Sequence, residues 1–432
     1  MPDTVASETA KLSIPGHEEM ILPITVGSEG EHAIDVTKLR AQTSYITLDP
    51  GYRNTGSVES DITFINGEEG ILRYRGYAID DLCNNCSFLE VSWLLMFGEL
   101  PTQAELDNFD GLVAGYAEID THVLRSIDEF PDHGHPMAKF ASSLHAASVY
   151  HEGLEDVDGR RGFLEAAARL ISQGRTLAAA GDKDSISKMP VPPQKGLGYA
   201  EQFLHMMFTA DGQAANLDED VVEAIDKIFI LHADHEQNCS TSTVRMVGSS
   251  GANMFASCSA GVSALWGPLH GGANVAVLKQ LHRIHESPLT VPAFLEKVKN
   301  KEDVLFGFGH AVYKNFDPRA QVLKASADKV LGKLGVNDPL LKIAMQLEEA
   351  ARADDYFVSR NLYPNVDFYS GIIMRALGIP EDMFTVMFAL GRMPGWIANW
   401  KEVRDQKSRI YRPRQVYTGA TDRKVSPIGS RG

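Results

Sequence analysis

The chain has 432 residues, 44% of them hydrophobic and 23% charged, which is ordinary for a globular protein and long enough for more than one domain. Its formal net charge of −16 disfavours general binding to nucleic acid or to anionic membrane surfaces. The acidic N-terminus lacks a secretory or transit pattern, and no apolar run approaches the ~20 residues of a membrane span. These features favour a cytoplasmic protein.

The first predicted elements along the chain are strands. After a start that we expect to be disordered, the segments ILPITV, SYITL, DITFI and ILRYRGY have strand composition between Ile21 and Tyr77. Turn sequences such as Asn66-Gly67 separate them. The pattern predicts a disordered start and a β-rich N-terminal segment over residues 1–77.

A C-x-x-C pair follows at Cys83 and Cys86, among only four cysteines in the chain. A zinc knuckle needs a second pair, and a redox site favours a βαβ context, so neither function is favoured. So few cysteines indicate a reducing compartment rather than a disulfide scaffold. We interpret the pair as flanking the start of a helix over 88–97, with Ser87 as its N-cap.

From Ala78 onward, apolar residues recur at helical spacing. Residues 78–279 and 384–432 contain the most apolar helices and predict a large helical domain. Residues 280–383 form charged amphipathic helices and predict a smaller helical domain. The small residues in STSTVRMVGSSGANMFASCSAGVSALWG indicate close helix contacts or close approach to a ligand. The predicted fold class is therefore mainly α.

Three common signatures are absent: the phosphate-binding G-x-x-x-x-G-K-[ST], the dinucleotide-binding G-x-G-x-x-G, and the G-x-S-x-G elbow. Histidines in unusual settings remain. His232 and His235 are three residues apart at the end of a helical run, so they are predicted to share a face. A core histidine and, less favoured, a zinc ligand are both open interpretations there. His270 lies in GPLHGGAN, where glycines permit close approach of a ligand.

Two further segments combine charge with an apolar setting. In GFGHAVYKNFDPRA, His310 and Arg319 are nine residues apart, and a guanidinium fork beside an imidazole suits a carboxylate beside a carbonyl. A helix cap with a solvated charge run is the alternative. In LYPNVDFYSG, apolar neighbours favour a raised pKa for Asp367, as a general base requires, with an N-cap as the rival role. Arg392, Arg412 and Arg414 are ambiguous when read alone.

Together, the segments ILHADHEQNCSTSTVR, LWGPLHGGAN, GFGHAVYKNFDPRA, LYPNVDFYSG and RMPGWIANW closely resemble citrate synthases, in order and over almost the whole chain from Gly70 to Gly419. The resemblance implies a citrate-synthase-like two-domain helical fold that closes over oxaloacetate. It implies an acyltransferase that condenses acetyl-CoA, oxaloacetate and water to citrate and CoA, the entry step of the tricarboxylic acid cycle. The β-rich N-terminal segment resembles the bacterial hexameric type, so a homodimer or hexamer is expected.

The resemblance also implies roles for matching residues. Asp367 removes a proton from the acetyl methyl, His270 donates a hydrogen bond to the thioester oxygen, and His310 polarises the oxaloacetate carbonyl. The residues expected to bind oxaloacetate are His235, Arg319, Arg392 and, from a neighbouring subunit, Arg412. The turn expected to bind CoA is Phe306, Gly307, Phe308 and Gly309. No metal and no cofactor other than the substrates are implied.

The sequence departs from its relatives at two places. Many bacterial relatives have Arg where Ala311 stands, which leaves CoA contacts in that turn uncertain. Relatives inhibited by NADH carry an Arg-His-Thr cluster where this chain has Ala117-Glu118-Ile119, and a cysteine where it has Gly212. We therefore expect weak or absent NADH inhibition.

Two alternative functions remain open from sequence. A 2-methylcitrate synthase uses propionyl-CoA with the same catalytic set, and one methylene changes binding by only ~1–3 kcal/mol. The β-rich N-terminus favours acetyl-CoA. A non-catalytic relative that binds CoA or a dicarboxylate is disfavoured, because His270, His310 and Asp367 are all present.

Overall fold

The computed structural model describes residues 8–154, 157, 159–185, 190–210, 213–310, 312–334 and 338–431. Contacts divide the chain into two compact units. We call the described parts of Met1–Ser60 and Tyr411–Gly432 the terminal unit, and those of Asp61–Ile410 the helical unit. The predicted boundary between a large and a small helical domain stays a prediction.

The terminal unit contains a three-stranded antiparallel sheet in the order β1-β2-β3, a short α-helix and a 3-10 helix at Ile428–Ser430. Its elements are β1 Thr9–Leu12, β2 Met20–Val26, β3 His32–Ile34 and α1 Leu39–Thr43. The disordered start predicted over residues 1–20 is wrong for β1, which pairs with β2. A small core of Met20, Leu22 and Leu39 lies between the sheet and the helix.

The strand predicted at SYITL is wrong, because residues 44–48 form no strand. Ser44 adopts a left-handed conformation (φ 66°) that ends α1, and its amide bonds to the carbonyl of Arg40. Leu48 is 72% exposed, so the apolar side chains that suggested a strand have no sheet to pack on.

The helical unit begins with a second antiparallel sheet in the order β4-β5-β6. Its strands are β4 Thr63–Asn66, β5 Ile71–Tyr74 and β6 Tyr77–Ala78. The predicted turn at Asn66-Gly67 connects β4 to β5, and the Asn66 side chain accepts hydrogen bonds from the amides of Glu68 and Glu69 at 3.1 Å each. We call Thr63–Tyr74 the hairpin.

The remainder of the helical unit is made of α-helices joined by loops. They are α2 Ile79–Asn85, α3 Phe88–Phe97, α4 Gln103–Gly115, α5 Thr121–Asp128, α6 Pro136–Ala147, α7 Gly159–Ser185, α8 Tyr199–Phe208, α9 Glu219–His232, α10 Cys239–Gly248, α11 Met254–Leu265, α12 Ala273–Glu286, α13 Val291–Lys299, α14 Pro318–Leu334, α15 Pro339–Arg352, α16 Asp355–Val358, α17 Val366–Ala376 and α18 Phe384–Asp405. The predicted mainly α fold with small β segments near the N-terminus is confirmed.

The helix predicted over 88–97 is confirmed, and its capping residues explain where it begins and ends. Ser87 and Glu90 form a capping box at its start, and Gly98 ends it with a φ of 92°. Cys83 is buried in the preceding helix α2, and Cys86 is that helix's C-cap. Neither forms a disulfide.

The core of the helical unit is packed around α18. Trp396 and Trp400 of this helix are buried, and they lie against glycines of α11 and α10. A Cβ on Gly248 would lie 2.9 Å from the Trp400 ring, and one on Gly261 would lie 3.1 Å from the Trp396 ring. The predicted close helix contact of this small-residue segment is confirmed. Across the described ranges, no helix has the length and apolar content to cross a bilayer.

Candidate active site

Most candidate residues of the helical unit lie in loops or at helix ends, and one lies inside a helix. His235 follows α9, and His270 lies in the turn between α11 and α12. His310 precedes α14, Asp367 lies in the first turn of α17, and Arg392 lies within α18. Residues on helix ends and short loops are held by the packed helices, so their positions are well fixed.

The predicted shared helical face of His232 and His235 is wrong, because α9 ends at His232. His232 is buried, and its Nδ1 lies 2.7 Å from the carbonyl oxygen of Ile228. Burial lowers its pKa to about 3. The core-histidine interpretation therefore applies to His232. Within the described part of the chain, no three His, Cys, Asp or Glu side chains are grouped to hold a metal ion.

His235 lies beyond the helix and faces a second imidazole. Its ring centroid is 5.5 Å from that of His310, and its Nε2 is 3.3 Å from the Tyr313 hydroxyl. Burial, followed by the nearby charge of Arg319, lowers its pKa well below the usual value. His235 is therefore a neutral group at pH 7.

His270 has a defined protonation state and tautomer. The amide of Ser240 donates to its Nε2 at 3.1 Å, and the Ser240 hydroxyl lies 2.9 Å from the same atom. A backbone amide can only donate, so Nε2 carries no proton. Burial lowers the pKa of His270 to about 4, and the charge of Arg392 contributes to that shift. The ring is therefore neutral at pH 7, with its proton on Nδ1.

Both ring nitrogens of His310 face donors. The amides of Val312 and Tyr313 donate to its Nδ1 at 3.0 and 3.3 Å, which favours a neutral ring with its proton on Nε2. Burial and the charge of Arg319 lower its pKa to about 4. A terminal nitrogen of Arg319, which can only donate, lies 3.3 Å from Nε2 and favours the other tautomer. The contacts therefore leave the tautomer of His310 undecided, while they place its ring beside a guanidinium.

Arg319 is held by its neighbour Asp317. Its Nε and Nη2 donate to the two carboxylate oxygens at 2.9 and 3.0 Å, and both side chains are buried. The same carboxylate accepts from the amide of Val366 at 3.2 Å, which connects this pair to the start of α17. Burial alone would raise the pKa of Asp317, but the charge of Arg319 outweighs it and holds the pKa below its usual value.

Asp367 is not the N-cap of α17, so that rival interpretation is wrong. Asn365 is the N-cap, and its side-chain oxygen accepts from the amides of Asp367 and Phe368 at 3.0 and 3.2 Å. Among the described residues, none donates a hydrogen bond to the Asp367 carboxylate. Burial raises its pKa to about 6, although the charges of Arg319 and Arg392 oppose that rise. The result is a weakly solvated carboxylate with the basicity of a general base.

Arg392 is 1% exposed, and its Nε donates to the carbonyl of His232. Its Nη1 has no hydrogen-bond partner among the described residues. Burial lowers its pKa to about 10, and the carboxylate of Asp234 opposes that shift. A buried guanidinium with an unpaired nitrogen is an available ligand for a carboxylate.

The helix that carries Arg392 contacts the turn that carries His235 through backbone atoms. The amide of Gly395 donates to the carbonyl of Ala233 at 3.1 Å. A Cβ on Gly395 would lie 2.1 Å from that carbonyl oxygen, so only glycine fits there. This contact holds the backbone near Arg392 directly against the backbone near His235.

The turn Phe306–Gly309 is fixed against the start of α17. Gly307 and Gly309 have φ of 80° and 70°, a conformation that favours glycine. The amide of Gly309 donates to the carbonyl of Tyr363 at 2.8 Å, and that of Asn365 donates to the carbonyl of Gly307 at 2.9 Å. The turn therefore lies next to Asp367, while the Phe306 side chain is 42% exposed.

Some of the residues named from the sequence lie outside the helical unit or outside the described residues. Arg412 and Arg414 lie exposed in an irregular segment of the terminal unit, so the expected role of Arg412 stays a prediction. Ala311 and Gly212 lie outside the described residues. Sequence analysis missed Ser240, whose position at the start of α10 resembles ordinary helix capping.

Comparison with known sequences addresses the whole chain. A family model described as "Citrate synthase, C-terminal domain" matches residues 51–414. Citrate synthase 1 of Mycobacterium tuberculosis is 49% identical over 435 residues, which cover 100% of both chains. The citrate synthase of Corynebacterium glutamicum is 48% identical over 433 residues, which cover 98% of each chain.

This chain belongs to the citrate synthase family. Solved structures agree: the citrate synthase of Pyrobaculum aerophilum aligns with a TM-score of 0.80 and 32% identity, covering 99% of this chain and 100% of that one. A ternary complex of the Thermoplasma acidophilum citrate synthase with carboxymethyl coenzyme A and oxaloacetate aligns with a TM-score of 0.80 and 30% identity, covering 89% and 100%. The predicted resemblance is confirmed at the level of the family, and the chain is an acyltransferase.

The segment Ala117-Glu118-Ile119, where we expect no NADH-binding groups, has a structural role in this citrate synthase family member. Ala117 is buried, and its carbonyl accepts from the Thr176 hydroxyl at 2.9 Å. The carbonyl of Glu118 accepts from the Gln173 side chain at 3.3 Å. These backbone contacts hold the segment against α7.

Proposed function

We propose that this protein condenses acetyl-CoA with oxaloacetate and water to give citrate and CoA. One observation supports the proposal: two neutral imidazoles, His270 and His310, and a carboxylate of raised pKa, Asp367, all lie within the electrostatic influence of Arg319 or Arg392. A methyl group beside a thioester is a very weak acid, so a base needs donors aimed at the oxyanion that forms. The site offers both.

In the first step, the Asp367 carboxylate takes a proton from the acetyl methyl. The Nδ1–H of His270 donates to the thioester oxygen as negative charge develops there. A neutral imidazole suits that role because it can donate a hydrogen bond without being protonated first. The base is effective because burial, rather than a hydrogen bond, sets its pKa.

In the second step, the enolate carbon attacks the keto carbon of oxaloacetate. The Nε2–H of His310 donates to that carbonyl oxygen and passes its proton to the new alkoxide, and His310 takes a proton back from solvent. Asp367 releases to solvent the proton that it took from the methyl group, which restores the carboxylate. Arg319, Arg392 and His235 hold the two carboxylates of oxaloacetate. Water then hydrolyses the citryl thioester and releases CoA. No metal ion and no cofactor takes part in this scheme.

A thiol-release assay on the purified protein tests the proposal. Free CoA should appear from acetyl-CoA only when oxaloacetate is present, and citrate should form in equal amount. Thiol release without oxaloacetate would indicate a simple thioesterase. Binding of CoA without any release would indicate the non-catalytic alternative.

The acyl preference is part of the same test. We propose acetyl-CoA as the preferred thioester and 2-methylcitrate synthesis from propionyl-CoA as the alternative. The ratio of kcat/KM for the two thioesters decides between them. Because a pocket distinguishes one methylene by only ~10–200-fold, the ratio has to be measured with both thioesters.

The raised pKa of Asp367 predicts an acid limb in the pH profile. A general base must be ionised, so kcat/KM for acetyl-CoA should fall about tenfold per pH unit below about pH 6. His270 and His310 stay neutral there because burial lowers their pKa values to about 4. Steady-state rates from about pH 5 to pH 8 measure the limb. A midpoint near the ordinary aspartate value of ~4 would contradict this assignment.

We further propose a cytoplasmic homodimer or hexamer in which Arg412 completes the oxaloacetate site of a neighbouring subunit. Arg412→Gln and Asp367→Asn should each be nearly inactive alone. After the two variants are mixed and subunits exchange, a hybrid dimer has one site with both groups intact. Random exchange should then restore about a quarter of the wild-type activity. No recovery in a sample shown to contain hybrids would contradict a shared site.

Three further features belong to this proposal. A small domain of residues 280–383 closes on a large one of residues 78–279 and 384–432. Phenylalanine and glycine residues of the turn Phe306–Gly309 contact CoA.

NADH is a weak inhibitor at most. Inhibition of the purified enzyme by sub-millimolar NADH would contradict that last point.

A further inference from the structure

The hairpin Thr63–Tyr74 contacts two loops that carry site histidines, although none of its residues has a part in the mechanism above. On one side lies the turn with His235, and on the other lies the segment 312–316, which follows His310. The catalytic scheme leaves these contacts without a role.

The contact with residues 312–316 is a close approach of two backbones. The amide of Lys314 donates to the carbonyl of Gly67 at 2.8 Å. A Cβ on Gly67 would lie only 2.2 Å from the carbonyl oxygen of Val312. Gly67 is not among the glycines with a left-handed φ, so glycine is needed there for space rather than for conformation.

The opposite side of the hairpin is anchored. The amide of Ile65 donates to the Glu236 carboxylate at 2.7 Å. The buried hydroxyl of Tyr74 donates to the carbonyl of Asp234 at 3.0 Å. Extra volume at Gly67 would therefore displace the segment with Val312 rather than the hairpin.

The segment beside Gly67 contains three consecutive backbone amides that donate hydrogen bonds. Those of Val312 and Tyr313 donate to Nδ1 of His310, and the next, of Lys314, donates to Gly67. We propose that the hairpin, through the backbone of Gly67, is a positioning element that holds these amides so that Nδ1 of His310 is an acceptor and the ring proton is placed on Nε2. The inference deepens the proposed function and rests on it.

The substitution Gly67→Ala tests this inference. The methyl group should push Val312 away and weaken both hydrogen bonds to Nδ1 of His310. We expect kcat to fall ~10–100-fold, as for a catalytic group displaced by a fraction of an ångström, with the KM for acetyl-CoA within about threefold of the wild type. A loss of stability alone would lower the active fraction but leave the pH profile unchanged.

The pKa of His310 gives the second readout. Amides that donate to Nδ1 favour the neutral ring, so their loss should raise the pKa of His310. The other groups that act on this ring are Arg319, Asp317, His235 and Tyr313, whereas the three atoms nearest to a Cβ on Gly67 all belong to Val312. NMR titration of histidine-labelled protein, assigned with His310→Asn, reports both pKa and tautomer without an activity assay.

Two variants of the same turn complete the experiment. Glu68→Gln removes the exposed ion pair with Lys314 without adding volume, and its kcat should stay within about twofold of the wild type. Asn66→Ala loosens the turn by removing the acceptor of two amides, and should change His310 in the same direction but less. Asn66→Ala replaces Gly67→Ala as the test if the latter does not fold.

The outcomes separate the inference from the proposed function. An unchanged tautomer and pKa of His310 in Gly67→Ala, or an equal effect of Glu68→Gln, would overturn the positioning role. Absence of oxaloacetate-dependent thiol release in the wild type would overturn the proposed function, and the NMR result would still decide whether Gly67 controls His310.

Discussion

Replacing Asp367 with asparagine is expected to lower kcat at least ~100-fold, which corresponds to ~2.7 kcal/mol of transition-state stabilisation. Asparagine has nearly the same shape but cannot accept the proton of the acetyl methyl. The change breaks no hydrogen bond to a described residue, so oxaloacetate binding should persist. Thiol release measures the rate, and a calorimetric titration with oxaloacetate measures the binding.

The change in folding stability caused by Asp367→Asn has a predictable direction. The pKa of Asp367 is raised in the folded state, so its ionisation disfavours folding as pH rises from ~4 to ~6 and above. At about pH 8 the asparagine variant should therefore have a Tm equal to or above that of the wild type. Asp128→Asn, at an exposed aspartate of α5, is the matched control and should change neither rate nor Tm. A kcat within tenfold of the wild type would exclude Asp367 as the base.

Arg392→Gln is expected to raise the KM for oxaloacetate by ~30–1000-fold, or ~2–4 kcal/mol, typical of losing a buried charged partner. The reason is that Arg392 is buried but forms no ion pair with a described residue, so its charge is available to a substrate carboxylate. The KM for acetyl-CoA should change much less. Initial rates at varied oxaloacetate measure the effect.

Arg245→Gln is the matched control for this prediction. Arg245 is also 1% exposed, but it forms an ion pair with Glu402 at 2.5 Å and a hydrogen bond to Asn399 at 3.0 Å. Breaking that buried pair should destabilise the fold by ~3–5 kcal/mol and leave the KM for oxaloacetate within about threefold. Equal shifts of KM in both variants would show that oxaloacetate binding depends on general packing rather than on Arg392.

The sequence predicted the elements whose signals are local. The helix Phe88–Phe97 has its cap residues adjacent to its apolar run, and the turn at Asn66-Gly67 has the residues that such turns require. The SYITL strand failed because β composition does not supply a partner strand. The end of α9 at His232, before His235, also depends on contacts that a spacing rule does not contain.

The candidate site shows the same limit. His270 and Asp367 were found from their unusual neighbours in the chain. The tautomer of His270 depends on Ser240, which is 30 residues away and looks like an ordinary residue at the start of a helix. The N-cap role went to Asn365 rather than Asp367, because capping depends on backbone geometry as well as residue type.

The backbone contact between Gly395 and Ala233 has a consequence for how the substrate is captured. Two main chains in direct contact leave no side chain that could change rotamer and let one move past the other. Arg392 and His235 are thus pre-organised before any ligand arrives, and little conformational entropy remains to be lost on that side. Capture of a substrate then requires no rearrangement of these two backbone segments relative to each other.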